Sequence, residues 1–86
     1  MDIATKIVDM LRLRASTASI CPSDVARALA DSDPAWRALM PSVRKAATAL
    51  AYSDRIVITR GTHEVDPADV DHGPIRLRRG AKFPQG

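Results

Sequence analysis

Pro41-Ser42-Val43-Arg44-Lys45-Ala46-Ala47-Thr48-Ala49-Leu50-Ala51-Tyr52, closed by Ser53-Asp54 and followed by Arg55-Ile56-Val57-Ile58-Thr59-Arg60, is the stretch whose reading decides the fold. Proline suits a first helical position, where its missing N–H costs nothing. Projected at about 100° per residue, Val43, Ala46, Ala47, Leu50 and Ala51 share one half of a helix over 41–52. Ser42, Arg44, Lys45, Thr48, Ala49 and Tyr52 share the other half. The β-branched run after Asp54 reads as a strand over 55–60. Gly61 then turns the chain, and residues 62–72 read as a polar loop. Ile75-Arg76-Leu77-Arg78 alternates as a half-buried second strand.

Working backward, residues 2–14 have helical period. Ile3, Ala4, Ile7, Val8, Met10 and Leu11 share one arc, and Asp2, Thr5, Lys6, Asp9 and Arg12 the other. Residues 15–20 lose that period, which predicts a turn and a short strand around Ser19-Ile20. Cys21-Pro22-Ser23-Asp24 starts a second helix running to about Ala30, with Asp24 favoured near the first-turn N–H groups. Asp31-Ser32-Asp33-Pro34 breaks it, with Asp31 and Asp33 both candidate caps for the next segment. Residues 35–40 read as a short helical lead-in, and Pro41 as a kink or fresh start. Residues 79–86 read as a frayed, disordered tail after a domain over 1–78.

This order predicts an α+β, mainly helical fold. It is a winged helix-turn-helix of three helices with a C-terminal wing of two or three strands. The long interval 31–40 is its one awkward feature.

Composition narrows the function classes. Eighty-six residues make one small domain, and Trp36, Tyr52 and Phe83 are its only aromatics, so aliphatic side chains must fill the core. The single cysteine, Cys21, excludes an intrachain disulfide and a cysteine-only zinc site, in keeping with a reducing, cytoplasmic setting. No signal peptide or membrane span is expected. Residues 1–40 hold five basic and five acidic groups; residues 41–86 hold eight and five, and so carry the whole net charge of +3. A basic excess confined to the predicted helix and wing suits a polyanionic partner, although solubilising charge explains it equally well.

Three motifs carry a family resemblance. They are Ile20-Cys21-Pro22-Ser23-Asp24-Val25-Ala26-Arg27-Ala28-Leu29, then Trp36-Arg37 with Met40-Pro41-Ser42-Val43-Arg44, then Gly73-Pro74-Ile75-Arg76-Leu77-Arg78. In this order they resemble the bacterial domain of unknown function 3253. The resemblance implies a winged-helix fold and supplies no activity.

The candidate nucleic-acid contacts are Ser42, Arg44, Lys45 and Thr48 on the helix, and Arg60, Arg76, Arg78 and Arg79 on the wing. Cations neutralise phosphates or contact guanine, and hydroxyls bond phosphate or base. Arg76 and Arg78 lie two apart and share the strand face opposite Ile75 and Leu77, where they suit either a phosphate or a charged sheet edge. Against DNA stand Glu64, Asp66, Asp69 and Asp71, which must point away or pair with local arginines. His63 and His72 among these acids match no closed zinc site or calcium loop, so neither metal nor cofactor is expected. Cys21 reads as an inert packed thiol, and Trp36 as a lid over the helix junction. No nucleophile–base pattern or phosphate loop is present, so an enzyme is not expected. The expected partner is double-stranded DNA. The alternative is a protein-interaction or homodimerisation module that uses the acidic loop with Leu13 and Phe83.

Overall fold

The computed structural model describes residues 2–70 and 73–84. Helix α1 spans Ile3–Arg12, strand β1 Ser19–Ile20, helix α2 Pro22–Leu29 and helix α3 Asp33–Tyr52. Strand β2 spans Ile56–Arg60, β3 His63–Glu64 and β4 Arg76–Arg79, with a 3₁₀ turn at Pro67–Asp69. The sheet is antiparallel with order β1-β4-β2-β3, so the last strand lies inside it. Three helices beside a small sheet make an α+β domain, consistent with a helical body and a β-wing. No helix among the described residues is long and apolar enough to cross a membrane.

Local chemistry sets the helix ends. The Asp2 carboxylate accepts from the backbone N–H of Thr5 at 3.1 Å and from its hydroxyl at 2.7 Å, which caps α1. These two bonds hold the Asp2 carboxyl below the ordinary aspartate range. Helix α2 opens on Pro22, and the Asp24 carboxylate reaches back to accept from the N–H of Cys21 at 2.9 Å.

Helix α3 departs from the sequence reading. It begins at Asp33, not Pro41, and runs unbroken for 20 residues. Its cap is neither aspartate but Ser32, whose hydroxyl accepts from the N–H of Ala35 at 3.3 Å. Pro41 removes one internal hydrogen bond, at the carbonyl of Arg37. Both residues are exposed. A continuous buried stripe of Trp36, Val43, Ala47 and Leu50 outweighs that loss. The awkward interval thereby shrinks to the three residues 30–32 between α2 and α3.

Helix α3 ends as expected at Ser53-Asp54. Asp54 takes the left-handed conformation, φ 61°. The N–H of Arg55 returns to the carbonyl of Leu50, and that of Asp54 to Ala51, both at 3.1 Å.

The core is aliphatic. Ile20, Leu77 and Ile58 stand side by side across β1, β4 and β2, all essentially inaccessible. Ile7, Leu11, Val25 and Val43 close over them from the helices. Trp36 is buried at the helix junction, as the sequence suggests.

The region 62–72 is not a plain polar loop. It contains β3 and the 3₁₀ turn, and it buries Val65 and Val70. Asp71 and His72 lie outside the described residues. The frayed tail read from Arg79 differs too. Strand β4 runs through Arg79, and the N–H groups of Gly80 and Lys82 bond the carbonyls of Arg55 and Asp54 at 2.9 and 2.8 Å. Phe83 is buried, which removes it from the surface offered to a protein partner, whereas Leu13 is 87% exposed.

Candidate functional site

The four nominated wing arginines all bond other parts of the domain. Arg76 gives Nε to the Ser19 hydroxyl at 2.9 Å and Nη2 to the Ser19 carbonyl at 3.0 Å, and Nη1 meets the Cys21 sulfur. Arg78 gives Nη1 to the carbonyl of Thr17 at 2.8 Å. Arg79 aims Nη2 at the end of α1, towards the carbonyls of Leu11, Arg12 and Arg14 at 3.0, 3.2 and 3.0 Å. Arg60 bonds the carbonyl of Asp69 at 3.3 Å.

These partners make physical sense. The last turn of a helix leaves carbonyls without intrahelical donors and carries partial negative charge. Thr17 and Ser19, between α1 and α2, likewise offer carbonyls as acceptors. Guanidiniums with five donors each supply both needs.

On α3 the sequence projection holds. Val43, Ala47 and Leu50 are buried, while Ser42, Lys45, Ala49 and Tyr52 are exposed. Two of the nominated residues are partly committed. Arg44 donates Nη1 to the carbonyl of Val70 at 2.6 Å, which ties α3 to the wing. The Thr48 hydroxyl bonds the carbonyl of Arg44 at 2.9 Å, within its own helix. Ser42 and Lys45 are exposed and make no side-chain hydrogen bond or ion pair among the described residues.

The acidic segment does not point away from α3. Its 3₁₀ turn packs against the helix. Between them lies a groove of about 560 Å³, mostly apolar, bordered by Pro41, Lys45, Ala49, Tyr52, Pro67 and Ala68. Asp66 and Asp69, the chain neighbours of its Pro67-Ala68 border, are exposed, as is Glu64 on β3. The acidic segment therefore lies beside the groove side of α3, while Asp31 and Asp33 stand at the start of the helix.

At that first half stands an arrangement the sequence did not disclose. The guanidinium carbons of Arg27 on α2 and Arg37 on α3 lie 4.6 and 4.7 Å from the ring centroid of Trp36. Such stacking contributes about 0.5–1 kcal/mol per cation at an exposed site. The indole N–H donates to the Asp33 carboxylate at 3.0 Å, which fixes the ring. Arg37 beside Trp36 was visible in the sequence; Arg27, nine positions earlier, needed the short turn to bring it there.

Among the described residues no three His, Cys, Asp or Glu side chains stand where they could hold a metal ion. Cys21 is a free, half-buried thiol.

The architecture defines a small α+β domain. Residues 1–80 match the family described as protein of unknown function (DUF3253), and the chain belongs to that family. Comparison with curated proteins gave no match.

Proposed function

We propose that this domain is a non-catalytic, cytoplasmic winged-helix module that binds double-stranded DNA, with α3 as its reading helix. The carrying observation is the outer face of α3, presented directly after a three-residue turn. Pro34, Ala35, Ala38, Pro41, Ser42 and Lys45 are all exposed along it. Small side chains let a helix backbone sit deep in a major groove, and N-terminal residues of a reading helix meet base edges. Lys45 supplies a phosphate contact and Ser42 a hydroxyl. The reading face therefore takes in the exposed start of α3 as well as Ser42 and Lys45 of the nominated 41–52 stretch, with the acidic segment packed beside the groove side of the helix. Arg76, Arg78 and Arg79 take a fold-holding role in this reading.

Electrophoretic mobility shift with random duplex DNA across a salt series tests it. Binding should weaken with salt, and Lys45→Ala should flatten the log–log slope by about 0.9, the loss of one phosphate contact. A slope unchanged by Lys45→Ala removes this face of α3 from the interface.

The groove between α3 and the wing favours a second reading, a protein-docking module. Tyr52 is 65% exposed beside it. Recovery of one protein partner after nuclease treatment, with no duplex binding at low salt, would favour that reading.

A further inference from the structure

We infer that Arg27 and Arg37, held on Trp36, form a phosphate clamp at the turn between α2 and α3. The inference rests on the DNA-binding reading and assigns the phosphodiester backbone to these two residues. Three observations carry it.

The first is the uneven use of arginine. Arg76 has all three guanidinium nitrogens on protein acceptors, and Arg78 and Arg79 have one each. Arg27 and Arg37 have ring contacts and, among the described residues, no hydrogen-bond or ion-pair partner. Their donors face solvent, and both residues are exposed.

The second is preorganisation. A free surface arginine loses side-chain entropy when it grips a ligand. Stacking on a buried indole whose N–H is tied to Asp33 removes much of that freedom beforehand. Planar guanidiniums fork onto phosphate oxygens through their edges, which stacking leaves open.

The third is position. The shared ring places one cation from each helix of the pair at the start of α3, beside the exposed small-residue face. Asp31 in this turn and Asp33 at the start of α3 stand nearby in sequence, yet neither pairs with either arginine among the described residues. One oxygen of Asp33 is occupied by the indole.

Trp36 is the only tryptophan, so its emission reports on the clamp alone. The experiment follows that emission, together with the anisotropy of labelled duplex DNA, in the parent chain, Arg27→Gln, Arg37→Gln and Arg37→Lys. Inorganic pyrophosphate is titrated in a parallel arm. Thermal melts by circular dichroism establish that each variant is folded, and Arg37→Lys keeps the charge if a glutamine variant does not fold.

The expected result is duplex binding that changes Trp36 emission, with the salt slope shallower by about 0.9 for each arginine replaced by glutamine. Arg37→Lys should keep the slope and lose affinity, because the charge remains and the fork is gone. Duplex binding with parental slopes and affinities in all three variants overturns the clamp and leaves the DNA reading standing. Failure to bind duplex, with a pyrophosphate response lost in the glutamine variants, overturns the DNA reading and with it the assignment to the phosphodiester backbone, and leaves a clamp for other phosphates. Silence towards both ligands overturns both.

Discussion

Replacing Arg79 with methionine separates the fold-holding role of the wing arginines from a phosphate-binding one. The substitution keeps an unbranched stem of similar length and removes the guanidinium. At stake are three carbonyls at the end of α1, which receive Nη2 of Arg79 at 3.0–3.2 Å. All three share one nitrogen, which has only two hydrogens, so their contributions do not add. The Arg12 and Arg14 carbonyls are exposed and rehydrate; the Leu11 carbonyl is part-buried.

The loss is thus close to one charge-assisted hydrogen bond, about 1.5–3 kcal/mol. To it are added about 0.3–1 kcal/mol for a cation at a helix C-terminus and about 0.5–1 kcal/mol for stacking on Phe83. An Nε buried without a hydrogen-bond partner disappears too, which offsets part of the cost. The net expectation is about 3 kcal/mol, or a Tm lowered by about 15 °C in a domain of this size. Far-UV circular dichroism melts read the stability, and duplex binding across salt reads the function. The reasoning predicts a large fall in Tm with an unchanged salt slope below the new transition. A Tm within about 2 °C of the parent, with a slope shallower by about 0.9, would refute it and return Arg79 to the phosphate backbone.

Two further perturbations probe the ends of the chain. In Gly80→Ala the added Cβ would press on the carbonyl oxygen of Asp54 and lie 2.9 Å from the Ile56 nitrogen, both backbone atoms that cannot swing aside. Either local strain of about 1–3 kcal/mol or release of the buried Phe83, about 3–5 kcal/mol, must result. Urea unfolding should show a lower midpoint, and a parental midpoint would deny that residues 80–83 pack as described. Asp2 has its folded pKa held below the unfolded value by the Thr5 bonds. Its contribution is therefore present above the unfolded pKa and is lost as pH falls below about 4. Asp2→Asn, which still caps, should match the parent Tm at neutral pH and lose less between pH 5 and pH 2.5; parallel acid limbs would contradict this.

Legibility in the sequence followed the range of the physics involved. Helix α1, helix α2 and the two-residue strand β1 were readable within a residue or two, because caps and apolar periodicity are local. The start of α3 was not. Pro41 reads locally as a kink or fresh start after a short lead-in, whereas the buried stripe of Trp36, Val43, Ala47 and Leu50 that carries the helix through it depends on tertiary packing. For the candidate site, which residues of α3 face outward was legible from the helical period. What the arginines touch was not, since Arg76, Arg78 and Arg79 find partners 55–68 positions away. The same limit hid the stacking of Arg27 on Trp36. Alternation could say that Arg76 and Arg78 leave the core face, but not that main-chain oxygens were waiting there.

The central place of β4 has a consequence for synthesis. During translation, Ser19–Ile20 leaves the ribosome some 57 residues before its partner Arg76–Arg79 is made. Until then the nascent chain offers two bare β edges, and the carbonyls closing its first helix have no guanidinium to meet. Assembly must therefore be late and all at once, so truncated products would be natural clients for chaperones and proteases rather than partly working domains.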